Sequence, residues 1–130
     1  MIPSESLPYA IALSQMKGMS RQVAEKLLQS CGDLNTLFNE SRESWREILG
    51  IPAPLFDEAS REKALSAADT EMAFIEERGI TPLFFTDMDY PARLHECPDA
   101  PVMLYFKGNG SLNPHRILSI VGTRKATRYG

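Results

Sequence analysis

The residues whose types and spacing best suit chemistry form the stretch Ile117-Leu118-Ser119-Ile120-Val121-Gly122-Thr123-Arg124-Lys125-Ala126-Thr127-Arg128-Tyr129-Gly130. It is an apolar run ending in a glycine and followed by hydrogen-bond donors. A glycine at the end of a covered parallel strand lets a ligand come within contact distance of the backbone. A helix starting beyond it would aim its free N–H groups at the same spot, which is phosphate chemistry. Thr123 offers a hydroxyl, Arg124 a planar two-pronged grip, Lys125 and Arg128 diffuse positive charge, and Thr127 a cap for the following helix. The candidate anion-binding residues are therefore Gly122, Thr123, Arg124 and Lys125. The bland alternative is a strand-ending glycine followed by ordinary surface charge. The stretch is neither G-x-G-x-x-G nor a P-loop ending in Lys-Ser/Thr, so it indicates no nucleotide cofactor.

Charge placement favours an anionic partner for this end of the chain. From Lys107 onwards there are five basic residues (Lys107, Arg116, Arg124, Lys125, Arg128) and no Asp or Glu, although the whole chain carries a net charge of -3. The residues before Lys107 are thus acidic on balance, and a mean over the chain hides the basic end. His95 and His115 have no companions at metal-ligand spacing, and no metal site is expected. Cys31 and Cys97 lie too far apart for a redox motif and read as reduced, partly buried thiols.

Two kinds of element must position these residues. In the first half, Leu7, Ala10, Ile11 and Leu13 recur at near-helical spacing, with Ser6 as an N-cap and Pro8 in the first turn. Met16-Lys17-Gly18-Met19 supplies a turn, Ser20 caps a second helix with Val23, Ala24, Leu27 and Leu28 on one face, and Gly32 stops it. A short helical turn over Asp33–Phe38 and a helix from Ser41 carrying Trp45, Ile48 and Leu49 follow, broken at Gly50-Ile51-Pro52. From Pro54 to about Arg78 the pattern is again helical, with Leu65, Ala68, Met72 and Ile75 inward and Gly79 as the stop.

The units around Gly18 and Gly50 resemble helix-hairpin-helix motifs, in which two glycines let backbone N–H groups approach a DNA phosphate. Each unit here keeps one glycine, with Ser20 and Pro52 in place of the second, and Pro52 has no N–H to donate. Residues 1–60 hold five basic side chains against eight acidic ones, so this part reads as a packing or protein-contact module rather than a DNA clamp.

Past Gly79 the grammar changes to short apolar strands over Ile80–Thr86, Val102–Phe106 and Ile117–Val121, the last apolar at four of five positions. Pro91, Pro98 and Pro101 make the first connection a winding one with at most a short helix near Ala92–His95. Three blocks in this half carry a resemblance: Tyr90-Pro91-Ala92-Arg93-Leu94, then Asp99-Ala100-Pro101-Val102-Met103-Leu104-Tyr105-Phe106-Lys107-Gly108, then Ile120-Val121-Gly122-Thr123-Arg124. In order and spacing they resemble the DprA (Smf) family of DNA-processing proteins, and the helical region before them suits that family's SAM-like or helix-hairpin-helix N-terminal domain.

The resemblance implies an α+β chain: an all-α domain over 1–60, then a linking helix and the first strands of a Rossmann-like DNA-binding domain over 61–130. It implies a cytoplasmic protein of natural transformation that binds single-stranded DNA, helps load RecA, forms a homodimer at full length, and needs neither catalysis nor cofactor nor membrane. Gly122, Thr123 and Arg124 inherit the family's DNA-pocket role, with Lys125 beside them. Tyr90 offers a face for stacking a base, but a tyrosine beside proline reads better as a packed turn residue.

Against the family's length the chain reads as truncated at Gly130, where the first Rossmann helix should begin. The anion site is then half built, and single-stranded DNA binding weaker than in the intact protein is expected. Two rivals remain. One is a LOG or lysine-decarboxylase-like phosphoribohydrolase, which the helical front end disfavours. The other is a pure helical protein-interaction module.

Overall fold

The computed structural model describes residues 4–39, 44, 45, 47, 58–125 and 127–129. Its helices include α1 (Leu7–Gln15), α2 (Arg21–Cys31), α3 (Leu34–Asn39) and α4 (Glu58–Arg78); β1 (Thr81–Phe84), a 3-10 helix (Ala92–Glu96) and β2 (Met103–Phe106) follow. The chain is therefore α+β, as the sequence indicates. The helix expected from Ser41 lies largely outside the described residues, as does the second glycine unit around Gly50.

The centre of the fold is α1, whose Ala10, Ile11, Ala12 and Leu13 are all buried. Four consecutive buried positions mean that the helix is covered all round rather than along one stripe. It packs against α4, α3 and β2. Leu27 of α2, Leu37 and Phe38 of α3, and Ala64, Ala68 and Ile75 of α4 close the same core, with Leu65 and Met72 partly buried against it. Trp45 is fully buried, sets its ring edge-on to Phe38 at 5.7 Å, and donates its indole N–H to the Leu37 carbonyl at 2.9 Å. Arg61 of α4 lies over the Trp45 ring at 4.9 Å and donates to the Phe38 carbonyl. The guanidinium thus joins α4 to the α3 corner by both a hydrogen bond and a cation–π contact.

Local signals set the helix ends. Ser20 caps α2 by accepting from the Val23 N–H at 3.2 Å, and Gly32 ends it at φ +88°, where side-chain-bearing residues are strained. Asp33 caps the next turn, its carboxylate accepting from the Thr36 N–H at 2.7 Å. That bond holds the Asp33 carboxyl below the usual carboxylate range. Ser6 does not cap α1 with its side chain; its backbone already lies in the helical region, so the hydroxyl is not turned towards the first free amides.

β1 and β2 pair antiparallel, Thr81 opposite Phe106 and Phe84 opposite Met103. This two-stranded sheet contains all the strands found among the described residues. The third strand expected over Ile117–Val121 is not formed. Its side chains are open to solvent, Ile117 by 51% and Leu118, Ile120 and Val121 by 86–91%. Apolar composition marks a segment able to lie in a sheet, but a strand also needs a hydrogen-bonded neighbour, and here the segment has none.

Candidate functional site

The winding connection between the strands is built around two polar side chains turned inward. Asp87 is buried, and its carboxylate accepts from the Phe84 N–H at 2.9 Å while its own N–H donates to the Phe84 carbonyl at 2.9 Å. This local closure turns the chain out of β1 without leaving a buried amide unpaired. Tyr90 is 1% exposed, and its phenol donates to the Pro101 carbonyl at 2.6 Å, drawing the two ends of the connection together. Burial pushes the Tyr90 phenol above its ordinary value, with the charge of Arg21 partly opposing the shift and Cys97 adding to it. Tyr90 is thus a packed turn residue, with its ring 5.1 Å from that of His95.

The helical half touches this connection directly. Arg21, the first residue of α2, donates to the His95 carbonyl at 2.6 Å and so holds the 3-10 helix. From that helix Arg93 reaches on to the chain beyond β2, donating to the Pro114 carbonyl at 3.0 Å and the His115 carbonyl at 3.1 Å. Asn113 completes the junction. Its side-chain oxygen accepts from the Ala92 N–H at 2.6 Å, and its amide donates to the Tyr90 carbonyl at 3.2 Å. The 113–115 segment is therefore fixed to the 90–93 turn by four hydrogen bonds from two side chains, all at or near the surface.

Beyond His115 the described residues are irregular and exposed. Gly122, Thr123, Arg124 and Lys125 all lie in solvent, and a Cβ placed on Gly122 would meet nothing within 4 Å. Among the described residues past His115 one hydrogen bond forms, from the Thr123 hydroxyl to the Lys125 carbonyl at 2.7 Å. The four residues are brought together by sequence adjacency, and the expected strand before them and helix after them are absent from the described residues. Lys107, Arg116 and Arg128 are exposed as well, so the acid-free basic stretch is open to solvent along its described length.

Residues 81–130 match the family model of DNA recombination-mediator protein A. The match takes in all three sequence blocks that carry the resemblance, and with it the Asp87–Tyr90 turn, the Arg93–Asn113 junction and the basic stretch. No curated protein and no solved structure matches the chain. Residues 81–130 are thus similar to a family whose members are described as DNA recombination mediators.

A groove of about 440 Å³ opens between β1 and the loop after β2, lined by Thr81, Asp89, Phe106, Asn109 and Asn113 among others, and the Gly122–Lys125 cluster takes no part in it. Among the described residues no group of His, Cys, Asp and Glu is placed to hold a metal ion, and no helix is long and apolar enough to cross a membrane. The Arg93–Asn113 junction was not foreseen from sequence. Its partners stand 21 to 23 residues apart, and although Arg93 lies in the Tyr90–Leu94 block, that block does not point to Asn113 or to the 114 and 115 carbonyls.

Proposed function

We propose that this chain binds single-stranded DNA in recombination, using the basic stretch from Lys107 to Arg128 with Gly122, Thr123, Arg124 and Lys125 as its contact residues. The observation that carries the reading is an exposed stretch of five basic residues, free of Asp and Glu, inside the segment that matches the recombination-mediator family. Lys and Arg neutralise phosphates and release their counterions, while Gly122 leaves its backbone bare for a sugar-phosphate chain to approach. Arg124 is suited to a two-pronged phosphate contact.

The function is binding without catalysis. On this reading the natural-transformation role, the loading of RecA, the cytoplasmic location and homodimerisation of the full-length protein follow from the family resemblance. So does a Rossmann-like setting for the strands. The helical half serves as a packing and contact module, in keeping with Arg21 holding the 3-10 helix.

The test is a fluorescence-anisotropy titration of a labelled oligothymidylate at several salt concentrations. Binding should weaken with salt, with a slope of about -0.7 per phosphate neutralised. The Arg124→Ala, Lys125→Ala double variant should flatten that slope by about 1.4 and lower affinity at low salt. Equal affinity and slope in the double variant would overturn the assignment of these residues.

A further inference from the structure

We infer that the groove between β1 and the loop after β2 seats one base of the bound strand and favours guanine, with Asp89 as the residue that recognises it; this deepens the binding reading above and rests on it. Thr81 and Leu83 alternate onto one face of the strand pair, and Phe106 joins them there because it pairs with Thr81. The loop from Gly108 to Asn113 lies along that face and encloses about 440 Å³. Small-molecule sites typically span roughly 300–1,000 Å³. The walls are held by the folded body. Gly108, at φ +145°, brings the loop back so closely that a Cβ there would stand 3.3 Å from the Phe106 ring. Leu112 packs against the core, and Asn113 is bonded to the Tyr90–Ala92 turn. Asp89 stands between Asp87 and Tyr90, both anchored by their side chains. None of these supports involves a residue beyond Asn113.

The lining chemistry selects a base over a phosphate. Among the described residues no Lys, Arg or His lines the groove, and the ionisable side chain there is Asp89, whose carboxylate repels phosphate and accepts from N–H groups. Positive charge sits at the edge instead, since Lys107, the first of the acid-free basic residues, lies between the lining residues Phe106 and Gly108. The side chains of Asp89 and Asn109 are engaged by no hydrogen bond among the described residues, so both are open to a ligand. Guanine presents two adjacent N–H donors, at N1 and N2, that one carboxylate can take together, and beside them a carbonyl, O6, for the Asn109 amide or the Ser111 hydroxyl. Adenine and cytosine offer the carboxylate a single amino group. Thymine offers one N–H flanked by two carbonyls, which a carboxylate repels.

A labelled oligothymidylate is compared with the same strand carrying one central guanine, adenine or cytosine, each titrated by fluorescence anisotropy against the unaltered chain and Asp89→Asn. The unaltered chain should bind the guanine strand about fivefold more tightly than the all-thymine strand, with adenine and cytosine between. Asp89 is exposed, so the substitution leaves the core alone. Asparagine puts an N–H donor where guanine also donates, and the preference should disappear. Losing a negative charge raises the affinity of every strand alike, which cancels in the guanine-to-thymine ratio. Equal binding of the two strands by the unaltered chain, or a preference that survives Asp89→Asn, overturns the inference.

A second readout needs no strand. Deoxyguanosine monophosphate and thymidine monophosphate carry the same phosphate, so any difference between them reports the base. In amide NMR spectra the guanine nucleotide should shift Asn109, Gly110 and Ser111 more than the thymine nucleotide does, and Asp89→Asn should abolish the difference. If the unaltered chain binds no oligonucleotide, the binding reading falls, and the nucleotide shifts alone decide whether the groove takes guanine. Weaker binding of both strands by the Arg124→Ala, Lys125→Ala variant, with the guanine preference intact, supports both readings. The same weakening, with guanine and thymine strands bound equally by the unaltered chain, leaves the binding reading standing and removes the groove.

Discussion

Removing the hydroxyl of Tyr90 separates a packing role from a nucleic-acid role at the residue best suited to stack on a base. Tyr90→Phe keeps the ring, its burial and its approach to His95, and deletes the donor to the Pro101 carbonyl. A hydrogen bond of this kind contributes about 0.5–1.5 kcal/mol, and stranding a buried acceptor costs more. Pro101 is exposed, so water can reach its carbonyl once the phenol has gone, and the expected loss is about 1 kcal/mol. For a chain of this size that is a fall in melting temperature of about 3–6 °C, measured by circular dichroism. Tyr90→Leu should cost more stability, because it also removes the aromatic ring. Measured well below its melting temperature, however, it should bind oligothymidylate within about twofold of the unaltered chain, since the ring of Tyr90 is closed off from any base. Base stacking on an aromatic face is worth about 1–3 kcal/mol, fivefold or more in affinity. A Tyr90→Leu protein that stays folded but loses that much binding, together with a Tyr90→Phe protein that melts unchanged, would refute the structural role.

Three further outcomes follow from the fold. Arg61→Ala should lower stability by about 1–2 kcal/mol and shift the emission of Trp45, the chain's one tryptophan, because the cation over its ring is lost; unfolding followed by fluorescence checks both. Gly32→Ala should destabilise by about 1–2 kcal/mol in chemical denaturation, although a methyl group there meets nothing within 4 Å, since the cost lies in the backbone at φ +88°. The Asp33 carboxyl is lowered in the folded chain, so its cap stabilises at pH values above the ordinary carboxylate range and is lost as pH falls through the lowered value; Asp33→Asn should flatten that part of the acid limb of a stability–pH curve.

The helix boundaries were legible because their causes are local. Ser20, Gly32 and Gly79 each act within a turn of their own position, and Gly79 sits at φ +62° where α4 stops. The burial of α1 was also open to reading, since Leu7 to Leu13 contains no charged residue to face water. The third strand was misread because period and composition report which segments suit a sheet, whereas the partner that pairs them is a property of the whole chain. The candidate residues Gly122 to Lys125 are exposed, and the strand expected before them and the helix expected after them are not found among the described residues. The Arg93–Asn113 junction was invisible because it joins side chains to main-chain groups more than 20 residues away, and no residue pattern encodes such a bond.

The central position of α1 has a consequence for biosynthesis. This helix is made before nearly everything that covers it, and its partners in α4 and β2 emerge some 50 to 90 residues later. Until then an uncharged, greasy segment must wait in the open or in the care of a chaperone, and the slow closing of distant contacts governs when the chain matures. Stalling translation before β2 should leave a nascent chain that proteases clear quickly, and completing β2 should bring protection to the first helix and the strands together.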